Sequence, residues 1–232
     1  MEALLFPKLE LPTVEVLGES KAYPINRIFC VGRNYAEHAK EMGVEVDREA
    51  PFYFLKSALS FVASGSTIPY PPGTSDYHYE MELVMAIGAP VFKADKFAAA
   101  KAIYAYGAGL DMTRRDLQLH ARGKGRPWDL GKDFEQSAIL APLTLASRFG
   151  AVGPQRIALW VGDTVKQDAR LADLVWLPVE LVSHLSHYYH LQPGDLIYTG
   201  TPAGVGPVNP GDKIRGTIDG LTEVTLTIGK PE

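Results

Sequence analysis

The chain has 232 residues, 46% hydrophobic and 22% charged, with a net charge of −4, so it can bury a substantial core and offers no basic footprint for nucleic acid or an anionic membrane surface. Its single cysteine, Cys30, excludes an intrachain disulfide and a thiolate metal cluster. The start, MEALLFPKLELP, lacks the basic-then-apolar order of a secretory signal, and no run of about 18 apolar residues occurs, so a cytoplasmic location without a membrane partner is expected.

Residues 1–25 read as a short strand or hairpin lead-in closed by Pro24, and 26–232 as a single domain. RIFCVG (27–32) predicts an apolar strand. NYAEHAKEMG (34–43) predicts a short helix, with Asn34 as N-cap, Glu37 completing a capping-box pair and Gly43 as the stop. DREAPFYFLK leads into another strand, the turn-rich IPYPPGTSDYH follows, and 79–87 reads as a strand. KFAAAKAIYAYGAGLD begins as a helix and changes to strand near Ala105. Residues 113–123 predict a helix, with Thr113 and Asp116 as a capping pair and Gly123 as the stop. The second half holds short strands (RIALWVG, LIYTG, KIRGTID, EVTLTIG) and one helix at about 178–190. These elements predict a mixed α+β fold, predominantly β, without the regular βαβ alternation of a Rossmann or TIM architecture.

The segment DYHYEMELVMAIG carries two glutamates in an otherwise apolar strand. Period-2 alternation puts Tyr79, Met81, Leu83, Met85 and Ile87 on one face and Glu80, Glu82, Val84, Ala86 and Gly88 on the other. Glu80 and Glu82 then lie about 6.5–7 Å apart on one face. Burying both would cost about 2–4 kcal/mol of mutual repulsion, which a cation would relieve. A half-exposed strand that simply wets both glutamates is the alternative, although the small residues continuing that face weigh against it. Asp111 ends another apolar strand, where a turn former is also ordinary. Three carboxylates without a thiolate or a compact histidine cluster suit a hard cation, Mg²⁺ first, then Mn²⁺ or Ca²⁺.

His38 and Glu41 are three apart on the predicted 34–43 helix, so they can touch, either as a surface pair or as a carboxylate-oriented general base. His184, His187 and His190 in HLSHYYH diverge too far along a helix to share one ion and read as a non-ligand face. His78 reads equally as local packing or as support for the site, and His120 as exposed. GTPAGVG has the glycines of a phosphate loop but neither the following lysine nor a long helix. Arg33 reads as fixing its loop, Lys56 as a surface residue, and 41–50 as a charged lid tip.

Taken together, CVGRNYAEHAKEMG, HYEMELVMAIG, GLDMTRRDLQ, GRPWDLGKDFEQSA and LQPGDLIYTGTPAGVGPV resemble the fumarylacetoacetate hydrolase superfamily over about residues 25–225. The stretches REAPFYFLK and RRDLQ…GRPW are most similar to its fumarylpyruvate-hydrolysing branch of gentisate (aromatic) breakdown. The resemblance implies the family's C-terminal-domain fold, a mixed β-sandwich or roll, and a homodimer. It implies metal ligation by Glu80, Glu82 and Asp111, a catalytic His38–Glu41 dyad and an active-site lysine at Lys132. It further implies substrate contacts at Arg115, Gln118 and Thr201, with Arg115 and Gln118 expected at the distal end.

The implied substrate is a keto acid, an acylpyruvate whose C3–C4 bond is cleaved by hydrolysis. Oxaloacetate decarboxylation, an isomerase–decarboxylase activity, or a catalytically silent metal- or ligand-binding relative are the alternatives.

Overall fold

The computed structural model describes residues 4–43 and 48–231. Its largest sheet is mixed and has eight strands. Seven run in the order Phe52–Lys56, Arg27–Gly32, Asp195–Tyr198, Met81–Ile87, Ile103–Asp111, Ala138–Leu140 and Phe61–Ala63, and Thr144–Leu145 pairs beside Ile103–Asp111. A second, five-stranded sheet runs Thr164–Arg170, Arg156–Val161, Lys213–Ile218, Val224–Pro231 and Ser66–Tyr70. The two sheets share one apolar core. Met81, Leu83, Met85 and Ile87 from the first meet Ile157, Leu159, Ile214 and Leu226 from the second.

The opposite face of the large sheet carries a smaller core, which includes Ile28, Cys30, Val84, Ala86, Leu140 and Tyr198. Phe54 and Phe61, from strands at the two ends of that sheet, both pack on it, so the sheet curls around this core. The N-terminal hairpin Thr13–Val14/Tyr23–Pro24 closes it with Val14 and Tyr23. Burial on both sides explains why Met81–Ile87 is apolar apart from Glu82: alternation sorts its residues between two cores instead of between core and water.

The predicted elements are found with shifted boundaries. The 79–87 strand breaks at Glu80, which joins Tyr77–Tyr79 to Met81–Ile87. The first helix spans Ala36–Glu41, and its N-cap is Tyr35 without a side-chain bond. Asn34 is drawn away from capping because its amide donates to Trp176 O and Thr199 O and accepts from Trp176 N. Gly43 does stop that helix, at φ 69°. Thr113–Arg114 is a strand, and the following helix spans Arg115–Gly123. Asp116 accepts from Thr74 and Ser75, not from Thr113, and Gly123 lies inside the helix. The late helix ends earlier than expected, at Leu185. Residues 44–47, the middle of the expected 41–50 lid tip, lie outside the described residues. Among the described residues no helix is long and apolar enough to cross a membrane.

Candidate active site

Strand register builds the acidic cluster. Met81–Ile87 runs antiparallel to Ile103–Asp111, with Glu82 opposite Gly109 and Met81 opposite Leu110. One step further, Asp111 N donates to Glu80 O at 2.9 Å, which sets Glu80 against Asp111. Opposed residues keep their Cβ atoms about 4.5–5.5 Å apart, and i and i+2 share a face, so the three carboxylates converge. Ligand oxygens of Glu80, Glu82 and Asp111 lie within 4.8 Å of one another, and the residues are 5%, 1% and 0% exposed. The reading in which the glutamates face water is therefore corrected. Curling the sheet turns that face inward.

Two glycines make room for the cluster. A Cβ on Gly109 would stand 2.7 Å from Val84 Cγ2 and 2.8 Å from Tyr198 Cε1, so no side chain fits opposite Glu82. Gly200, at φ 96°, donates its N–H to Glu82 Oε2 at 2.7 Å from a conformation that side-chain-bearing residues rarely adopt.

Three buried cations surround the acids. Lys132 Nζ donates at 2.7 Å to Glu80 Oε2, Asp111 Oδ2 and Thr113 Oγ1. Arg115 Nη2 donates to Glu80 Oε1 at 2.5 Å and Nη1 to Gln118 Oε1. The expectation that Arg115 reaches the distal end of a substrate is thus revised: its guanidinium is committed at the inner end. Lys56 Nζ lies 2.9 Å from Asp111 Oδ1, out of line for a hydrogen bond, and donates to Met112 O, Ser137 Oγ and the carbonyl of Lys132. It thereby ties the Phe52–Lys56 strand to the far side of the curled sheet. Lys56 was expected at the surface. Along its strand Leu55 is 45% exposed and Lys56 only 2%, the reverse of what hydrophobicity alone predicts. Its signal was the period-2 link to Phe54, which also faces inward.

The acids respond unequally to this setting. Burial pushes Glu80 up, but Lys132, Arg115 and His38 pull it well below the usual carboxylate range. Burial, aided by Asp111 and Glu80, pushes Glu82 well above it. Burial lowers Lys132, yet Asp111 and Glu80 hold it above an ordinary lysine. Glu82 has no cationic partner among the described residues, and Asp111 Oδ1 is buried without a hydrogen-bond partner. A hard divalent ion fits this donor set: three buried carboxylates, one unpaired and one with a bare oxygen.

His38 hangs above the cluster on the Ala36–Glu41 helix, 7% exposed, with Nδ1 3.1 Å from Glu41 Oε2. Glu41 in turn accepts from Gly204 N at 3.2 Å. Burial lowers the His38 pKa, while the Glu80 and Glu41 charges oppose that shift. One cleft is lined by Glu80, Glu82, His38, Arg115, Gln118 and Lys132 together with Thr201. Glu41 stands at its rim and Asp111 lies beneath. The Thr201 hydroxyl is held by Gln167 Nε2 at 2.7 Å, and Gln167 Oε1 accepts from Met81 N at 3.0 Å. Gln167 thus joins the Thr201 loop to the glutamate strand, a tertiary role with no local sequence signal. Behind Arg115, His78 Nδ1 lies 3.4 Å from its Nε and His78 Nε2 2.7 Å from Asp76, so His78 supports the site. His120 is exposed, as expected, and the last three histidines take separate partners. His184 meets Tyr53, His187 meets Ser183 O, and His190 stacks on Phe92.

The family described as fumarylacetoacetate (FAA) hydrolase C-terminal matches residues 27–229. The chain belongs to the fumarylacetoacetate hydrolase family. Among its relatives, a fumarylpyruvate hydrolase from a Ralstonia species is 54% identical over 82% of this chain and 100% of its own length. An oxaloacetate tautomerase from Escherichia coli is 36% identical over 89% of this chain and 94% of its own. The solved fumarylpyruvate hydrolase from Pseudomonas aeruginosa, in complex with Mn²⁺ and pyruvate, superposes with a TM-score of 0.94 at 43% identity, covering 98% of this chain and all of that one. The expected family and fold are borne out.

Proposed function

We propose that this chain is a divalent-metal-dependent acylpyruvate hydrolase acting on a carbon–carbon bond, with fumarylpyruvate, cleaved to fumarate and pyruvate, as its substrate in aromatic breakdown. The carrying observation is the buried convergence of Glu80, Glu82 and Asp111 beneath His38, with Glu82 lacking a cationic partner among the described residues and Asp111 Oδ1 lacking a hydrogen-bond donor. The two fumarylpyruvate hydrolases among the relatives support the choice of substrate. Mg²⁺ is our first choice of ion and Mn²⁺ the second. The homodimer is carried over from the family resemblance, and the cytoplasmic location from the sequence, as part of this reading.

Held by the three carboxylates, a divalent ion supplies the positive charge that stabilises a pyruvate enolate as a leaving group. Charge balance suits that chemistry. The three acids face Lys56, Lys132 and Arg115 as formally neutral partners, so a dication and a dianionic enolate would complete a neutral set.

The dyad supplies the base. With the proton on Nδ1 donated to Glu41, His38 Nε2 is free to take a proton from water. The hydroxide formed adds to C4. The C3–C4 bond then breaks, its electron pair passes to the C2–C3 enolate, and C3 is protonated to give pyruvate. Lys132 adds positive charge beside that enolate and is our candidate proton source for C3. Thr201 is our candidate contact for the pyruvoyl carboxylate, and Gln118, expected at the distal end but tied to Arg115 Nη1, is reassigned in this reading to the reacting carbons. A panel of diketo acids assayed with and without chelator tests the reading. Loss of diketo-acid absorbance with stoichiometric pyruvate supports it, and no pyruvate from any acylpyruvate with Mg²⁺ or Mn²⁺ overturns it.

The E. coli relative favours a second reading, oxaloacetate tautomerisation, which needs the ion and a proton shuttle but no attacking water. Keto–enol exchange of oxaloacetate by a protein inert toward acylpyruvates would select it.

A further inference from the structure

The outer half of the cleft carries two arginines that the chemistry above does not use. Arg33 and Arg122 line the same cleft as the acidic cluster, and with Phe54 and Trp128 they also line a hollow that continues outward past Phe52 and Arg126. The three inner cations are each spent on Glu80 or Asp111. Neither Arg33 nor Arg122 has a carboxylate partner among the described residues. Arg122 Nη2 donates to Met42 O at 3.1 Å, and the Arg33 guanidinium sits 5.6 Å from the Phe52 ring centroid.

Arg33 is held in place by its surroundings. Its φ of 61° is the left-handed conformation that non-glycine residues avoid. On one side Gly32 lies flat on Phe52, since a Cβ there would approach Phe52 Cδ1 to 2.6 Å. On the other, Asn34 is fixed through Thr199 and Trp176. Beside the arginines stands an aromatic wall. Trp128 packs 4.9 Å from Phe52 and 5.8 Å from Phe54, centroid to centroid. An aromatic surface next to two guanidiniums without a carboxylate partner among the described residues matches a conjugated chain ending in a carboxylate.

We propose that Arg122, assisted by Arg33, binds the distal carboxylate of the substrate while Trp128 and Phe54 bear its planar acyl arm, so that this outer half selects dicarboxylic acylpyruvates. The assignment rests on the hydrolase reading above and replaces Arg115 as the distal cation. With C4 below His38, the arm of fumarylpyruvate points away from the acids, and its carboxylate lies three bonds beyond C4.

The test compares kcat/KM for fumarylpyruvate with that for acetylpyruvate, which lacks the distal carboxylate, at one fixed Mg²⁺ concentration. The expected result is that Arg122→Met lowers the fumarylpyruvate-to-acetylpyruvate ratio about 10–100-fold, mainly through KM, and that Arg122→Lys restores part of it. Arg33→Met lowers the ratio less, and the double variant lowers it most. Trp128→Leu is expected to narrow any preference for fumarylpyruvate over saturated succinylpyruvate. An unchanged ratio in the double variant, at an unchanged melting temperature, overturns the assignment, as does an equal loss on both substrates in well-folded protein. A wild-type protein that cleaves neither substrate overturns the hydrolase reading itself, a separate result from a ratio that ignores the arginines.

Discussion

At the inner end of the cleft, Glu80, Glu82 and Asp111 hang from two paired strands and are fixed by register, buried lysines and a glycine-lined surface. At its mouth, His38 and Glu41 hang from a six-residue helix, Arg33 from a left-handed residue and Arg122 from the last turn of another helix. The inner end is costly to assemble, because buried charges are tolerated only when all are matched. The mouth has fewer such demands. On the proposed reading, metal ligation and enolate chemistry belong to the part that cannot shift, and water activation and acyl selection to the part that can be altered without unfolding the protein.

If this contrast holds, the largest effects come from the inner end. Glu82→Gln should abolish measurable acylpyruvate cleavage, a loss of roughly a thousandfold or more, and should weaken Mn²⁺ binding followed by electron paramagnetic resonance. Chelation of the wild type should match it and be reversed by added Mg²⁺. Retained binding and turnover in Glu82→Gln would break the comparison outright.

Next in size is His38→Ala, expected to lower hydrolysis about 100–1,000-fold with Mn²⁺ affinity nearly unchanged, a split that separates the two ends. Oxaloacetate tautomerisation should suffer less, because it needs no attacking water.

Lys56→Met sharpens the contrast in stability. It leaves an Asp111 oxygen without its cation and unties the curled sheet, so a loss of about 3 kcal/mol is expected in urea unfolding. Stability equal to wild type would mean that Lys132 alone satisfies Asp111.

A smaller effect is expected in the pH profile. On the proposed reading neutral His38 is the working base, so hydrolysis should rise with pH through its pKa, and burial places that limb below the ordinary histidine value of 6.5. The Glu41 carboxylate opposes the lowering, so Glu41→Gln should move the limb to still lower pH while reducing the plateau about 10-fold. A limb that moves upward would contradict the dyad. Smallest of all, His187→Ala should change turnover by less than about twofold, since that ring hydrogen-bonds to Ser183 O and lies outside the cleft.

Much of the site was legible in the chain because strand periodicity is a local property. Glu80 and Glu82 share a face wherever the strand lies, and His38 and Glu41 share one wherever the helix lies. The capping assignments failed for the opposite reason. Asn34 and Asp116 are good local caps, yet each found stronger use in contacts distant in sequence, with Trp176 and Thr199 for one and Thr74 for the other.

By itself the sequence determined the apolar alternation, the acidic pair and the short helix that carries His38 and Glu41, since each depends on neighbours within a few residues. Only the tertiary structure decided that the acidic face turns inward, that Lys56 is buried while Leu55 is exposed, and that Arg115 serves Glu80. Those outcomes depend on how far the large sheet curls, and curling brings together the Phe52–Lys56 strand and Ser137, 81 residues apart at Lys56. No window of local sequence holds both.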